Sequence, residues 1–177
     1  MARIKLIDLN HAEPQIRGVL EGIQRRLGYL PNMYKALANH AGVFEMTMSM
    51  NKTIQAGPLD PKIRELAYLM SSFSNGCEYC LAMHKKAAQA VGLNQAQLSD
   101  LERYETSTAY DERQKMVLRF AEHLTAQATV PAPIVEGLRR VFSDAELVQL
   151  AATVGTANWT NRFNHAFGIE TEHPGRP

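Results

Sequence analysis

The chain has 177 residues, of which 45% are hydrophobic, and its 19 basic and 18 acidic residues leave a net charge of +1 at pH 7. This length and composition predict a single globular domain over residues 1–177 and exclude a largely disordered chain. No basic cluster is longer than Lys85–Lys86 or Arg139–Arg140, so nucleic acid is not an expected partner, because phosphate binding needs concentrated positive charge.

The N-terminal segment "MARIKLIDLNHAEPQIRG" has no apolar run and no small-residue cleavage site, so it is not a signal peptide. No uncharged stretch reaches the roughly 18 apolar residues that a membrane span needs. We therefore expect a cytoplasmic protein without a membrane partner. In a reducing compartment, closely spaced cysteines indicate redox or metal chemistry rather than a structural cross-link.

Helical patterns dominate the first half of the chain. "AEPQIRGVLEGIQRRLG" places apolar residues at helical spacing and predicts a helix that ends at Gly28. "PNMYKALANHAG" predicts a helix from Pro31 to near Gly42, and "VFEMTMSMNKTIQAG" predicts the next one. In "LDPKIRELAYLMSSF", Asp60 followed by Pro61 is a strong helix start, because aspartate caps free N–H groups and proline suits the first turn.

The second half is predicted to be equally helical. A helix is expected from near Asn75–Gly76 to Val91–Gly92, followed by a short helix or turn in "NQAQLSDLERY". Three further helices are predicted in "DERQKMVLRFAEHLTAQA", "APIVEGLRRVF" and "SDAELVQLAATVGTANWTNRFNHAFG", and residues 169–177 are predicted to form a polar, frayed tail. No run alternates in the manner of a strand, so the predicted fold is all-α.

A faint internal repeat accompanies this pattern. A shift of 84 residues places Ile63 on Leu147, Leu66 on Leu150, and the segment 77–80 on the segment 161–164. This predicts two pseudo-symmetric helical repeats, an active helix pair over about 59–92 and a silent one over about 143–168. Chance similarity between amphipathic helices is the alternative, because such helices share a period.

The two cysteines of the chain, Cys77 and Cys80, lie within four residues, and His84 follows one helical turn later. At about 100° per residue these three side chains project from one face of a helix. Ser74 or Asn75 is expected to cap this helix, and the free N–H groups of its first turn favour a cysteine thiolate. A thiolate there could attack an O–O or S–S bond, and the neighbouring cysteine could then close a disulfide.

Two other interpretations of the cysteines stay open at this point. They could be buried thiols that only pack, with His84 as a core residue. They could also bind zinc together with His84, in which case Glu65 or a distant histidine would supply the fourth ligand. Glu65 is followed by eleven uncharged residues, and it is either a solvated carboxylate near a helix start or a functional group.

The segment from Glu65 to His84, "ELAYLMSSFSNGCEYCLAMH", resembles the Glu-x11-Cys-x-x-Cys-x3-His signature of alkylhydroperoxidase D, in the carboxymuconolactone decarboxylase family. The resemblance covers about residues 15–169. It implies an all-helical AhpD-like fold and a homo-oligomer, a trimer or hexamer. It also implies that Cys80 attacks the peroxide, that Cys77 resolves the intermediate, and that Glu65 and His84 relay protons. Tyr79 departs from the family pattern, which has a histidine there.

The expected activity is that of an oxidoreductase: a thiol-dependent peroxidase that takes a hydroperoxide as substrate and an external dithiol or thiol protein as reductant. It requires no metal, flavin or haem cofactor. A thiol–disulfide reductase or redox sensor of the same fold is the first alternative. Tyrosine ordinarily titrates near pH 10, so Tyr79 cannot share the protons of the relay at neutral pH, and this favours a disulfide as the substrate. A non-catalytic helical oligomer or zinc module is the second.

Overall fold

In a computed structural model of the chain, residues 2–172 are described. All regular structure in this range is helical, which confirms the all-α prediction. The α-helices are α1 (Pro14–Leu27), α2 (Asn32–Leu37), α3 (Ala41–Ala56), α4 (Pro61–Ser74), α5 (Glu78–Ala90), α6 (Gln95–Ser99), α7 (Glu112–Gln127), α8 (Ala132–Arg139) and α9 (Asp144–Phe167), and a single 3-10 turn spans Leu101–Arg103.

Two compact units divide these elements. One unit spans residues 53–162 and contains α4 to α8 together with most of α9. The other contains the residues up to 52 and those from 163 onward. The prediction of one domain over the whole chain stays a prediction.

The unit of residues 53–162 is built around α4, which packs against α5 and α7. Its core is a continuous cluster of side chains that are fully shielded from solvent, among them Leu66, Leu69, Leu118, Leu150 and Val154. Because α4 is enclosed in this way, nine of its residues are buried, and polar groups on it are held in fixed positions.

The other unit has its own apolar centre. Of the residues at helical spacing on α1, Ile16, Leu20 and Ile23 are buried, whereas Val19 and Leu27 are 43% and 38% exposed. Beyond α9, Ile169 is held in place rather than frayed: its N–H donates to the carbonyl of Asn164 at 2.9 Å, and its side chain is buried. The rest of the predicted tail, 173–177, lies outside the described residues.

Local sequence signals explain several helix boundaries. Asp60 accepts a hydrogen bond from the N–H of Lys62 at 2.7 Å, and Pro61 is the first residue of α4, as predicted. Gly28 has a φ of 80° and ends α1, also as predicted. The helix predicted from Pro31 to Gly42 is wrong in its second half, because the chain leaves the helix after Leu37 and α3 begins at Ala41.

The predicted repeat is not confirmed. Its first half is a pair of helices, α4 and α5, but residues 144–167 of the second half form the single helix α9. The expected second pair is therefore wrong. Under the shift of 84 residues, Gly76 corresponds to Thr160. Gly76 forms the turn that ends α4, whereas Thr160 lies inside α9 and the helix continues through it.

No helix within residues 2–172 is both long enough and apolar enough to cross a membrane.

Candidate functional site

The site is organised by the abrupt turn between α4 and α5. Gly76, with a φ of 65°, takes the left-handed conformation that glycine adopts without strain. Its N–H donates to the carbonyl of Phe73, and the N–H of Cys77 donates to the carbonyl of Ser72, both at 2.9 Å. These two bonds form a Schellman motif, which closes α4 and places Cys77 directly after the turn.

Cys77 is also the N-cap of α5, since its Sγ accepts a hydrogen bond from the backbone N–H of Cys80 at 3.3 Å. The prediction that Ser74 or Asn75 caps this helix is wrong. Both residues belong to the end of α4, where the N–H of Asn75 donates to the carbonyl of Ser71 at 3.0 Å. Cys77 thus ends the Schellman motif and also caps α5, so the backbone is fixed on both sides of this residue.

Cys77 and Cys80 are joined by a disulfide, with their Cα atoms 5.4 Å apart. The two residues are only 2% and 4% exposed. Cys80 lies in the first turn of α5, where free N–H groups and the helix dipole favour a negative charge on sulfur once the disulfide is reduced. The arrangement is a buried disulfide at a helix N-terminus.

Glu65 and His84 form the second half of the site. His84 Nδ1 lies 2.8 Å from Glu65 Oε2, a hydrogen bond between the middle of α5 and the second turn of α4. The side chain of Glu65 is 8% exposed and that of His84 is 26% exposed. His84 is therefore the site residue that solvent reaches most readily, and a buried carboxylate orients it.

A cation adjoins this pair. Arg64 Nε lies 3.5 Å from Glu65 Oε1, and the side chain of Arg64 is 12% exposed. One oxygen of the carboxylate thus faces a guanidinium while the other binds the imidazole. Because a buried carboxylate is costly without hydrogen-bonding partners, this double contact accounts for a carboxylate in the interior of α4.

The four residues singled out from the sequence are therefore joined into two pairs, Cys77 with Cys80 and Glu65 with His84. Cys80 and His84, one turn apart on α5, connect the pairs. Tyr79, between the two cysteines, is 5% exposed. Among residues 2–172, no three histidine, cysteine, aspartate or glutamate side chains are arranged to hold a metal ion.

Sequence reasoning missed two side chains of the site, Arg64 and Tyr68. The ring of Tyr68 stacks on His84, with 3.5 Å between ring centroids and 13° between planes. Tyr68 lies three positions after Glu65, and residues so spaced share a helix face, so the helical period was the signal that could have found it. Arg64, adjacent in sequence to Glu65, offered no such signal.

Comparison with known proteins shows which sequences and folds the chain is similar to. Residues 41–123, which include all four predicted site residues, match the sequence model of the Carboxymuconolactone decarboxylase family. An uncharacterized peroxidase-related protein of Silicibacter sp. TM1040 has 27% identity and a TM-score of 0.82, and the match covers 96% of this chain and 93% of that one.

Two further solved structures share the fold. An uncharacterized peroxidase-related protein of Ralstonia eutropha JMP134, with an alkylhydroperoxidase AhpD core, has a TM-score of 0.88 at 21% identity, over 98% of this chain and 93% of that one. The debrominase Bmp8, bound to 2,3,4-tribromopyrrole, has a TM-score of 0.79 at 24% identity, over 90% of this chain and 86% of that one. At these identities the likeness shows a shared fold.

Proposed function

We propose that this chain, whose residues 41–123 match the carboxymuconolactone decarboxylase family, is a thiol-dependent peroxidase that reduces hydroperoxides through Cys77 and Cys80. The observation that carries the proposal is the conjunction of a closed Cys77–Cys80 disulfide with a Glu65–His84 hydrogen bond one helical turn away. A purely structural pair of cysteines would not need a buried carboxylate to orient a neighbouring imidazole.

The proposed cycle begins with the reduced pair. His84, oriented by Glu65, accepts the thiol proton of Cys80, and the thiolate attacks one oxygen of the hydroperoxide. The O–O bond breaks, Cys80 becomes a sulfenic acid, and the departing alkoxide takes the proton from His84 to leave as an alcohol.

Cys77 completes the cycle. Its thiol sulfur attacks the sulfenic sulfur of Cys80, a water molecule departs, and the disulfide forms. An external dithiol then returns two electrons and two protons to the pair and is itself oxidised to a disulfide. All atoms and electrons balance without a metal, flavin or haem.

A peroxide-consumption assay with dithiothreitol tests this function. The wild-type protein is compared with Cys80→Ser and with Glu136→Gln, which changes an exposed carboxylate on α8. We expect turnover in the wild type and in the control and none above background in Cys80→Ser. Equal rates in the wild type and Cys80→Ser would exclude the function.

The thiol–disulfide reductase is the alternative that the same geometry supports, because a buried thiolate beside an imidazole also attacks S–S bonds. Competing hydroperoxide and mixed-disulfide substrates separate the two functions by which is reduced faster. Mass spectrometry after one equivalent of peroxide provides a direct check, since the peptide that holds residues 77 and 80 should lose two hydrogen atoms.

On the family likeness we also propose a homo-oligomer, a trimer or hexamer, and separately we propose a cytoplasmic location. Light scattering coupled to size exclusion measures the subunit number, and a monomer would exclude this part of the proposal.

A further inference from the structure

We propose that Tyr68 is a positioning residue, held by Thr160 of α9, that fixes the ring plane of His84. This inference rests on the proposed role of His84 in the activation of Cys80, and it adds two residues outside the Glu-x11-Cys-x-x-Cys-x3-His signature.

The hydrogen bond to Glu65 does not by itself fix the imidazole. It places His84 Nδ1 at 2.8 Å from the carboxylate, but the ring can still swing about the line that joins these two atoms. The stacked ring of Tyr68, nearly parallel at 13° and 3.5 Å away between centroids, blocks that swing on one face. The bond and the stack together determine where the second ring nitrogen, Nε2, points.

Tyr68 is itself fixed at the far end of its side chain. Its hydroxyl lies 2.6 Å from Thr160 Oγ1. Thr160 Oγ1 also lies 3.1 Å from the carbonyls of Thr156 and Ala157, so Thr160 can donate its single proton to a carbonyl while it accepts a hydrogen bond from Tyr68. Tyr68 and Thr160 are 4% and 2% exposed, and water does not compete for this bond.

The position of Nε2 matters because Nδ1 is already engaged by Glu65. Proton exchange with Cys80, one turn earlier on α5, then has only Nε2 available. Proton transfer requires hydrogen-bond reach, and a displacement of about 1 Å at a reacting group costs up to about 100-fold in rate. A ring that tilts freely would spend much of its time outside that reach.

Ordinary core packing is the alternative role for a buried tyrosine. It makes a different prediction, because loss of packing alone would lower the free energy of unfolding without a selective effect on the reactivity of Cys80. Tyr110 supplies a matched control: it is 4% exposed, belongs to the same unit, and its hydroxyl donates to the carbonyl of Gln97.

The experiment measures the alkylation rate of Cys80 by iodoacetamide in the reduced protein, with the labelled peptide located by mass spectrometry. Tyr68→Leu removes the stacked ring and should slow alkylation by about 10-fold. Tyr68→Phe keeps the ring but loses its bond to Thr160, so its rate should lie between those of Tyr68→Leu and the wild type, and Tyr110→Leu should match wild type. Unchanged alkylation in a folded Tyr68→Leu protein would overturn the proposal.

A second measurement decides the matter even if Tyr68→Leu does not fold. In the reduced wild-type protein, the ring current of Tyr68 should shift the ring protons of His84 upfield in histidine-labelled NMR spectra, and Thr160→Val should alter that shift. Ordinary His84 shifts in the wild type would overturn the proposal. Neither readout uses peroxide, so the role of Tyr68 and the peroxidase function are tested separately. A protein without peroxidase activity can still show the stacked histidine, and an active peroxidase can still lack it.

Discussion

The most direct test of the turn between α4 and α5 compares two substitutions of Cys77 under reducing conditions. Cys77→Ser keeps an acceptor for the N–H of Cys80, whereas Cys77→Ala removes it. Both variants lack the disulfide and the resolving thiol, so they differ only in the cap. Loss of an N-cap costs about 1 kcal/mol, and an unsatisfied N–H this deeply buried raises the difference to about 1–2 kcal/mol.

For a chain of this size, 1 kcal/mol corresponds to about 2–4 °C in melting temperature, so Cys77→Ala should melt about 2–8 °C below Cys77→Ser. Thermal unfolding followed by circular dichroism, with a reductant present, measures the difference. Ser74→Ala is the control, because that exposed residue belongs to α4, and it should change stability by less than about 0.5 kcal/mol. Equal melting of the two Cys77 variants, or a larger loss in Ser74→Ala, would refute the assignment of the cap.

Three further outcomes are expected. Glu65→Gln keeps an oxygen that can bind His84 but removes the carboxylate that relays the proton, so peroxide turnover should fall about 100-fold. The control Glu136→Gln should show no change in the same peroxide assay. Ala128→Gly should raise the free energy of unfolding by up to about 1 kcal/mol in urea denaturation, because Ala128 has a φ of 55°, which costs alanine more than glycine. The guanidinium of Arg119 lowers the pKa of Glu105, so this carboxylate stabilises the fold above its unfolded pKa of about 4.3 and loses that contribution as pH falls through the lower folded value. Melting temperatures between about pH 6 and pH 3 should therefore fall less steeply in Glu105→Gln than in the wild type.

Predictions from the sequence succeeded where the determining signal was local. Asp60 and Pro61 start α4 because capping and the proline φ act within one turn. Gly28 ends α1 for a similarly local reason. The spacing of Cys77 and Cys80 predicted that both side chains lie on one face, and the structure then joins them in a disulfide. Such features depend on a few neighbouring residues and need no knowledge of the rest of the fold.

The prediction of the α5 cap failed because two helices compete for the same residues. Ser74 and Asn75 are good N-cap residues, and sequence alone favours them at the start of α5. In the structure α4 continues through Ser74, and Gly76 closes it with a Schellman motif. Burial of nine residues of α4 favours the longer helix, and that tertiary contribution cannot be derived from local preference.

The contacts of Glu65 could likewise be established only from the structure. Its helical position left a solvated carboxylate and a functional one equally plausible. What distinguishes them is that α4 and α5 pack side by side, which brings residues 65 and 84 to within 2.8 Å across 19 positions of sequence. The family resemblance, rather than periodicity, implied a shared role for these two residues, and the structure adds the direct contact.

The segment that the repeat pattern marked as silent contributes to the site by support rather than by chemistry. Under the shift of 84 residues Cys77 corresponds to Asn161, whose Nδ2 donates to Ser72 Oγ at 3.2 Å and whose Oδ1 accepts from Asn75 Nδ2 at 2.9 Å. Those two partners lie in the last turn and the C-cap of α4, immediately before Cys77. Thr160, one residue earlier, holds Tyr68 and through it His84. Because α9 is unbroken, Asn161 and Thr160 hold the cysteine pair and the Glu65–His84 pair in a fixed relation to each other. A turn at residue 160 like the one at Gly76 would separate the contact of Asn161 from that of Thr160.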